Sequence, residues 1–403
     1  MIQTVREAWE LWERLDAAVQ SEEVPLEEAF GRVLAEDVIA GRDVPAFRRS
    51  PYDGYALSSA DSRGASRERP AVFHVNEEVP AGSVPRLPIR PGTATRVMTG
   101  AMLPEGADCV VKYELTEFTE RELRIFSPLS PGNIVEIGED VQRGERILEA
   151  GKRIFGGGAA LAAGQGLRSL RVFRRPVVGI LGTGDELCER EEELCEGKIL
   201  STNGYLLSDC LRFFPILPRD FGIVRDSAEK IAERIEEALK DCDLLLTTGG
   251  VCTGDYDCLP EAMERLSAEI FFHGLPFKPG GALLCGRALG KPVFCLSGNP
   301  GSAATALLYV CAPYLRKLCG LSEISFREGY ARMSEDFPKP SRRTRILKGR
   351  LSLSEELRFE PLLNQRNGAV SSMEGFDLLA EIPAGTPPLR AGDRVKIYQI
   401  RGG

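Results

Sequence analysis

The chain has 403 residues, of which 43% are hydrophobic and 27% charged. That length allows several domains with sizeable cores. The charge content argues against a membrane-embedded or disordered chain, and no apolar run approaches the ~20 residues of a membrane span. A formal net charge of −8 repels nucleic acid, and the basic runs "FRRS", "FRRP" and "SRRTR" are short and scattered, as on solvated faces.

Val5, Ala8, Leu11, Trp12, Leu15 and Val19 recur at helical spacing, so the chain opens with an amphipathic helix. The same stretch lacks the apolar core of a signal peptide, which predicts a cytoplasmic protein. "LEEAFGRVLAEDV" reads as a second helical stretch. From about residue 70 to 150, short β-type runs are punctuated by "VPAGSV", "RPGTA" and "SPGN", the texture of a small all-β module. "GGGAALAAGQGL" follows as a glycine-rich helical connector.

Pro176 begins a different texture. "VVGILGTGDEL", "DLLLTTGG" and "PVFCLSGNP" are apolar runs that each end in a polar, glycine-containing loop. Helix-like stretches lie between them, among them "DSAEKIAERIEEALKD" with Ala228, Ile231, Ile235 and Leu239 on one face. Strands alternating with helices predict a parallel sheet covered on both faces, with ligands bound outside the carboxyl ends of the strands. All three loops fall there by that rule. After about residue 325, "TRILKGRLSL", "DLLAEIP" and "DRVKIYQI" read as a small carboxy-terminal β domain.

These loops suit an ionised ligand. Gly249 and Gly250 end a buried strand and let backbone N–H groups approach an anion with no Cβ between. Asp255 and Asp257, just beyond, supply oxygens for a hard cation such as Mg²⁺, or else cap the next helix. "LGTGDEL" repeats the theme with Gly182, Gly184, Asp185 and Glu186. In "CLSGNPGSA", Ser297, Gly298, Asn299 and Pro300 open a helix whose free N–H groups would face an anion. "FKPGG" adds Lys278. Together the loops predict a phosphorylated ligand held with a metal.

Other chemistries find little support. There is no G-x-x-x-x-G-K-[ST] and no G-x-G-x-x-G after a strand. The two histidines, His74 and His273, lie far apart, and the 11 cysteines contain no CxxC, so a structural zinc site and a disulfide framework are both disfavoured.

The motifs "SPYDGYAL", "RVMTGAMLPEGADCVV", "GEDV", "TGDEL", "STNGYLL", "TTGGVCTGDYD", "FKPGG" and "LSGNPGS" occur in an order that resembles the molybdopterin molybdenumtransferase family, the bacterial MoeA proteins and the gephyrin E domain. The resemblance runs over essentially the whole chain. It implies an α/β plus β multidomain fold: an elongated segment from 1–44 with 141–175, an inserted β-rich domain at 45–140, a MogA-like parallel-sheet molybdopterin-binding domain at 176–322, and a barrel-like β domain at 323–403. It implies a homodimer, with the site between the α/β domain of one subunit and the β-rich domain of the other. The implied reaction inserts molybdate into adenylylated molybdopterin with Mg²⁺-dependent loss of AMP. The implied partners are the preceding adenylyltransferase and the recipient molybdoenzymes.

Carried over residue by residue, Asp53, Thr99 and Glu186 match functional positions of the family, although Asp53 also suits an Asx turn and Thr99 a cap. Ser201 and Asn203 of "STNGYLL" join the pterin-nucleotide loops. Asp140, Asp226, Asp255 and Asp257 match acidic positions, and with Asp53 and Glu186 they are the candidate metal ligands. Four departures stand out: Ser297 replaces a usual proline, Tyr52 takes a usual methionine position, and Gly274 and Gly281 stand where lysines are frequent. Losing two cations would weaken oxyanion binding by ~1–3 kcal/mol per contact, with Arg343 or Arg345 as replacements. The departures keep a second reading open, a relative that binds and delivers the cofactor without inserting metal. An adenylyltransferase would not need the domains at 1–175 and after 325.

Overall fold

The computed structural model describes residues 2–251, 258–353 and 356–400. It divides into two compact units, Met1–Glu36 with Ala150–Ala159 and Ser169–Gly403, and Asp37–Glu149 with Ala160–Arg168.

The second unit is built on a six-stranded sheet in the order Cys109–Lys112, Gly54–Leu57, Thr93–Val97, Ala71–Val79, Glu122–Ile125, Glu117–Phe118. Side chains alternate across it, as period-two geometry requires. Tyr55 and Leu57 join Phe73 and Leu123 in one core, while Ala56 joins Val79, Val97 and Val110 in another. Gly54 is needed because a Cβ there would strike the Val111 carbonyl of the neighbouring strand.

In the first unit the opening helix spans Val5–Arg14, with a capping box between Thr4 and Glu7. Trp12 is fully buried and donates from Nε1 to the Val310 carbonyl at 2.9 Å. The helix is shorter than its apolar spacing predicts. Leu15 turns to an extended conformation, the chain enters the strand Ser21–Pro25, and Val19 is 37% exposed. The second predicted helix reduces to one 3-10 turn, Leu26–Glu28. Gly31 takes φ +74°, and Val33 and Leu34 instead form bridges to Arg153 and Val172.

The α/β region carries a six-stranded sheet in the order Leu217–Val224, Val177–Thr183, Leu244–Thr248, Lys291–Leu296, Leu284–Ala288, Glu269–His273. The first four strands are parallel and the last two form an antiparallel edge. Val178, Ile180, Leu244, Leu246 and Phe294 pack on one face with Trp12 and the helices Asn203–Leu211 and Pro300–Ala306. Leu181, Leu245, Val293 and Cys295 pack on the other face with Ala228–Lys240 and Leu259–Arg265. Helices on both faces of a largely parallel sheet are the architecture that the alternation predicts. Ile231, Ile235 and Leu239 are buried as their spacing requires, and Ser227 caps that helix.

The carboxy-terminal strands Thr344–Leu353, Leu357–Pro361, Arg327–Met333, Arg394–Gln399 and Leu378–Ile382 close on themselves, because the last also pairs with the first. A sixth strand joins from outside: Phe277–Lys278 runs parallel to Thr344–Arg345. Eight of the ten described cysteines are buried, and all ten are free thiols. Among the described residues no helix is long and apolar enough to cross a membrane.

Candidate active site

Three parallel strands in register explain why loops distant in sequence meet. Gly182 pairs with Thr248, and Thr248 pairs with Leu296, so three adjacent strands end at the same level. Their loops wall a pocket of about 520 Å³, lined by Glu186, Asn203, Asp226, Gly249, Ser297 and Pro300 among others. Gly184, Ser201, Gly250, Gly298 and Asn299 also line it. Gly182 lines an adjoining cavity of about 290 Å³ that shares Ser201 with the first. Asp185 contributes backbone, its N–H donating to Asp226 Oδ2 at 3.2 Å.

The glycines here are required by close approach. Gly249 has φ +104°, and a Cβ on it would lie 2.6 Å from Thr183 Oγ1. A Cβ on Gly298 would lie 3.4 Å from Gly249 Cα. Loop therefore packs on loop through bare backbone, the geometry that a large side chain would block.

Two expectations change in detail. The amino end of helix Pro300–Ala306 is already occupied: Gly301 N–H donates to the Asn367 carbonyl at 2.8 Å, and Ser302 N–H to the Asn299 carbonyl at 3.0 Å. The cause is the barrel, whose 361–370 segment docks on that helix and adds Gly368 and Val370 to the pocket. Lys278 does not line this pocket. Its strand pairs with the barrel, and it lines a neighbouring cleft of about 660 Å³ with Lys339, Arg345 and Arg366, where Glu335 and Asp336 also lie. Asn367 lines the cleft and the next residue, Gly368, lines the pocket, so the two cavities share a wall.

The cavities differ in charge. Among the described residues, the pocket at the glycine corners has carboxylates from Glu186 and Asp226 and no lysine, arginine or histidine. Among the described residues the cleft carries four cations against the two carboxylates of Glu335 and Asp336. A further cation, Lys348, lies between the two cavities beneath the helix start. It is fully buried, its Nζ donates to Ser372 Oγ at 2.8 Å, and a Cβ on Gly301 would lie 3.2 Å from that nitrogen. Burial pushes its pKa down to about 8. Lys348 and Thr183 were missed in the sequence. Lys348 sits in a strand where a lysine reads as solvent-facing, whereas Thr183 stands beside the "GDE" turn and could have been included.

Asp53 and Thr99 lie in the β-rich unit and are joined there. Asp53 Oδ1 accepts from Thr99 N–H at 2.7 Å and from Thr99 Oγ1 at 2.8 Å. The backbone bond first, then the hydroxyl, holds the Asp53 pKa below its ordinary value. Asp140 is exposed in the same unit, its N–H donating to the Val44 carbonyl at 3.0 Å. Asp255 and Asp257 lie outside the described residues. Among the described residues no three His, Cys, Asp or Glu side chains cluster as a metal cage.

The fold and its paired cavities define a ligand-binding α/β protein extended by β domains. Three family models tile the chain: "MoeA N-terminal region (domain I and II)" over residues 3–166, "Probable molybdopterin binding domain" over 179–317 and "MoeA C-terminal region (domain IV)" over 330–400. A molybdopterin molybdenumtransferase of Staphylococcus epidermidis is 36% identical over 98% of this chain and 94% of its own length. That of Bacillus subtilis is 36% identical over 95% and 90%. The crystal structure of the molybdopterin biosynthesis moeA protein of Pyrococcus horikoshii OT3 superposes with a TM-score of 0.85 at 31% identity, covering 99% of this chain and 100% of that one. The chain belongs to the molybdopterin molybdenumtransferase family.

Proposed function

We propose that this protein inserts molybdenum into adenylylated molybdopterin and releases AMP, acting as a homodimer in the cytoplasm. The observation that carries this reading is the pair of adjoining cavities of opposite character. The carboxylate-lined pocket takes the pterin nucleotide, and the cation-lined cleft takes molybdate as the second substrate.

Glu186 and Asp226 flank the Asp185 backbone, a donor set that suits Mg²⁺, which binds through one or two carboxylates plus substrate phosphates. When bound there, the metal would offset the phosphate charge and polarise the phosphoanhydride. The glycine corners let the pyrophosphate approach the backbone. Lys278 and Arg345 hold the divalent oxyanion by charge-assisted bonds, and Lys348 adds positive potential under the shared wall. Asp53, kept ionised by Thr99, supplies a fixed carboxylate.

One observation favours the second reading, binding and delivery without insertion. A Cβ on Gly281 would strike the carbonyl oxygens of Leu275 and Phe277, so this backbone admits no lysine there. A single assay separates the two: purified protein with Mg²⁺, molybdate and adenylylated molybdopterin should release AMP. Tight binding with no AMP above background would leave only delivery.

A further inference from the structure

We infer that Thr183 and Asn203 form a donor-reading wall inside the glycine-corner pocket, accepting hydrogen bonds from an N–H- or O–H-bearing edge of the ligand. This rests on the pterin nucleotide reading above and adds where the uncharged part of that ligand is recognised.

Thr183 ends the Val177–Thr183 strand and is 2% exposed, yet its Oγ1 has no hydrogen-bond partner among the described residues. It sits beneath the Gly249–Gly250 corner: the Cβ positions of those glycines lie 2.6 and 3.4 Å from it. Buried hydroxyls are paired in nearly all folded proteins, so an orphan that lines a pocket marks a place for a ligand atom. Asn203 is the second such case. Its Nδ2 donates to the Gly298 carbonyl at 2.9 Å, and its Oδ1 is buried without a partner among the described residues. Because the Gly298 carbonyl can only accept, the amide orientation is fixed, and Oδ1 is the end left over.

An amide oxygen cannot donate. A phosphate oxygen placed against Asn203 Oδ1 would be repelled, so the matching ligand atom carries hydrogen. Two parts of an adenylylated pterin offer such edges: the amino-pyrimidinone ring, and the sugar and base of the adenylate.

Thr183→Val removes the hydroxyl and keeps the β-branched shape, and Thr183→Ser restores an oxygen. With Mg²⁺ present, the full chain is titrated with AMP by calorimetry and with 6-hydroxymethylpterin by its fluorescence, and thermal unfolding is followed for each variant. Thr183→Val should unfold at or above the wild-type temperature, lose roughly tenfold in affinity for one probe alone, and recover in Thr183→Ser. Asn203→Ala should lose affinity for the same probe. Loss of the pterin assigns the wall to the ring, and loss of AMP assigns it to the adenylate. Unchanged affinity for both probes, with the wild type binding them, overturns this inference and leaves the functional reading standing. A wild type that binds neither probe overturns both. A lower unfolding temperature for Thr183→Val overturns the claim that the hydroxyl is unpaired in the free protein.

Discussion

Replacing Lys348 by methionine should stabilise the protein while weakening its hold on an oxyanion. Lys348 is fully buried, accompanied by Ser372 Oγ, and its pKa is about 8 against an ordinary 10.5. That gap corresponds to roughly 3 kcal/mol of cost for keeping the ammonium charged inside the fold. The folded-state value lies below the unfolded one, so between pH 8 and 10.5 the unfolded chain binds more protons and stability rises with pH. Below about pH 8 the cost is present in full. Methionine has similar length and no charge, and it forfeits the bond to Ser372, about 1 kcal/mol. The net expectation at pH 7 is a gain of about 2 kcal/mol, a few degrees in unfolding temperature. The gain should shrink as the pH passes from 8 towards 10.5. Thermal unfolding of both proteins at pH 7 and pH 10 measures the difference, and a molybdate titration at pH 7 reads the binding. A methionine variant less stable at pH 7, or a stability difference that ignores pH, would refute this account of Lys348.

If the proposed function holds, Asp53→Asn should keep the fold and lower AMP release by about 100-fold or more, because asparagine keeps an oxygen for Thr99 and loses the negative charge. Wild-type activity should show no titration of Asp53 until the pH falls below the ordinary range of an aspartate, because its pKa is lowered. Gly249→Ala should cost at least ~2 kcal/mol, from φ +104° and collision with Thr183, and abolish AMP binding in calorimetry. Lys278→Ala should weaken molybdate binding by about 5–30-fold and flatten its salt dependence, with binding of AMP little changed. Among the described cysteines Cys195 is the exposed one, so it should label first with a thiol reagent followed by mass spectrometry.

Strand ends and glycine corners were legible in the sequence because both rest on local chemistry. "DLLLTTGG" states a buried strand and its exit, and parallel pairing brings three such exits level. The helix at Ala228–Lys240 was legible for the same reason, its apolar period and its Ser227 cap agreeing. What the linear text hid was long-range. Gly31 and the bridges of Val33 and Leu34 overrode helical spacing after residue 26. The pairing of Phe277–Lys278 with Thr344–Arg345 carried Lys278 out of the glycine-corner pocket into a separate cleft. The burial of Lys348 depends on a helix and a turn that lie tens of residues from it. Motif order conveyed the family. It did not convey that the glycine corners and Lys278 line two separate cavities with one wall.

The added strand Phe277–Lys278 makes the barrel a poor candidate for removal or exchange. Truncation near residue 325 would leave that strand with an unsatisfied edge, strip Gly301 of its Asn367 acceptor, and free Tyr309 from Glu381, to which its hydroxyl donates at 3.0 Å. A shortened chain would thus forfeit the Gly368 and Val370 wall of its glycine-corner pocket. Grafting a foreign carboxy-terminal module would have to reproduce those three seams before it could return activity.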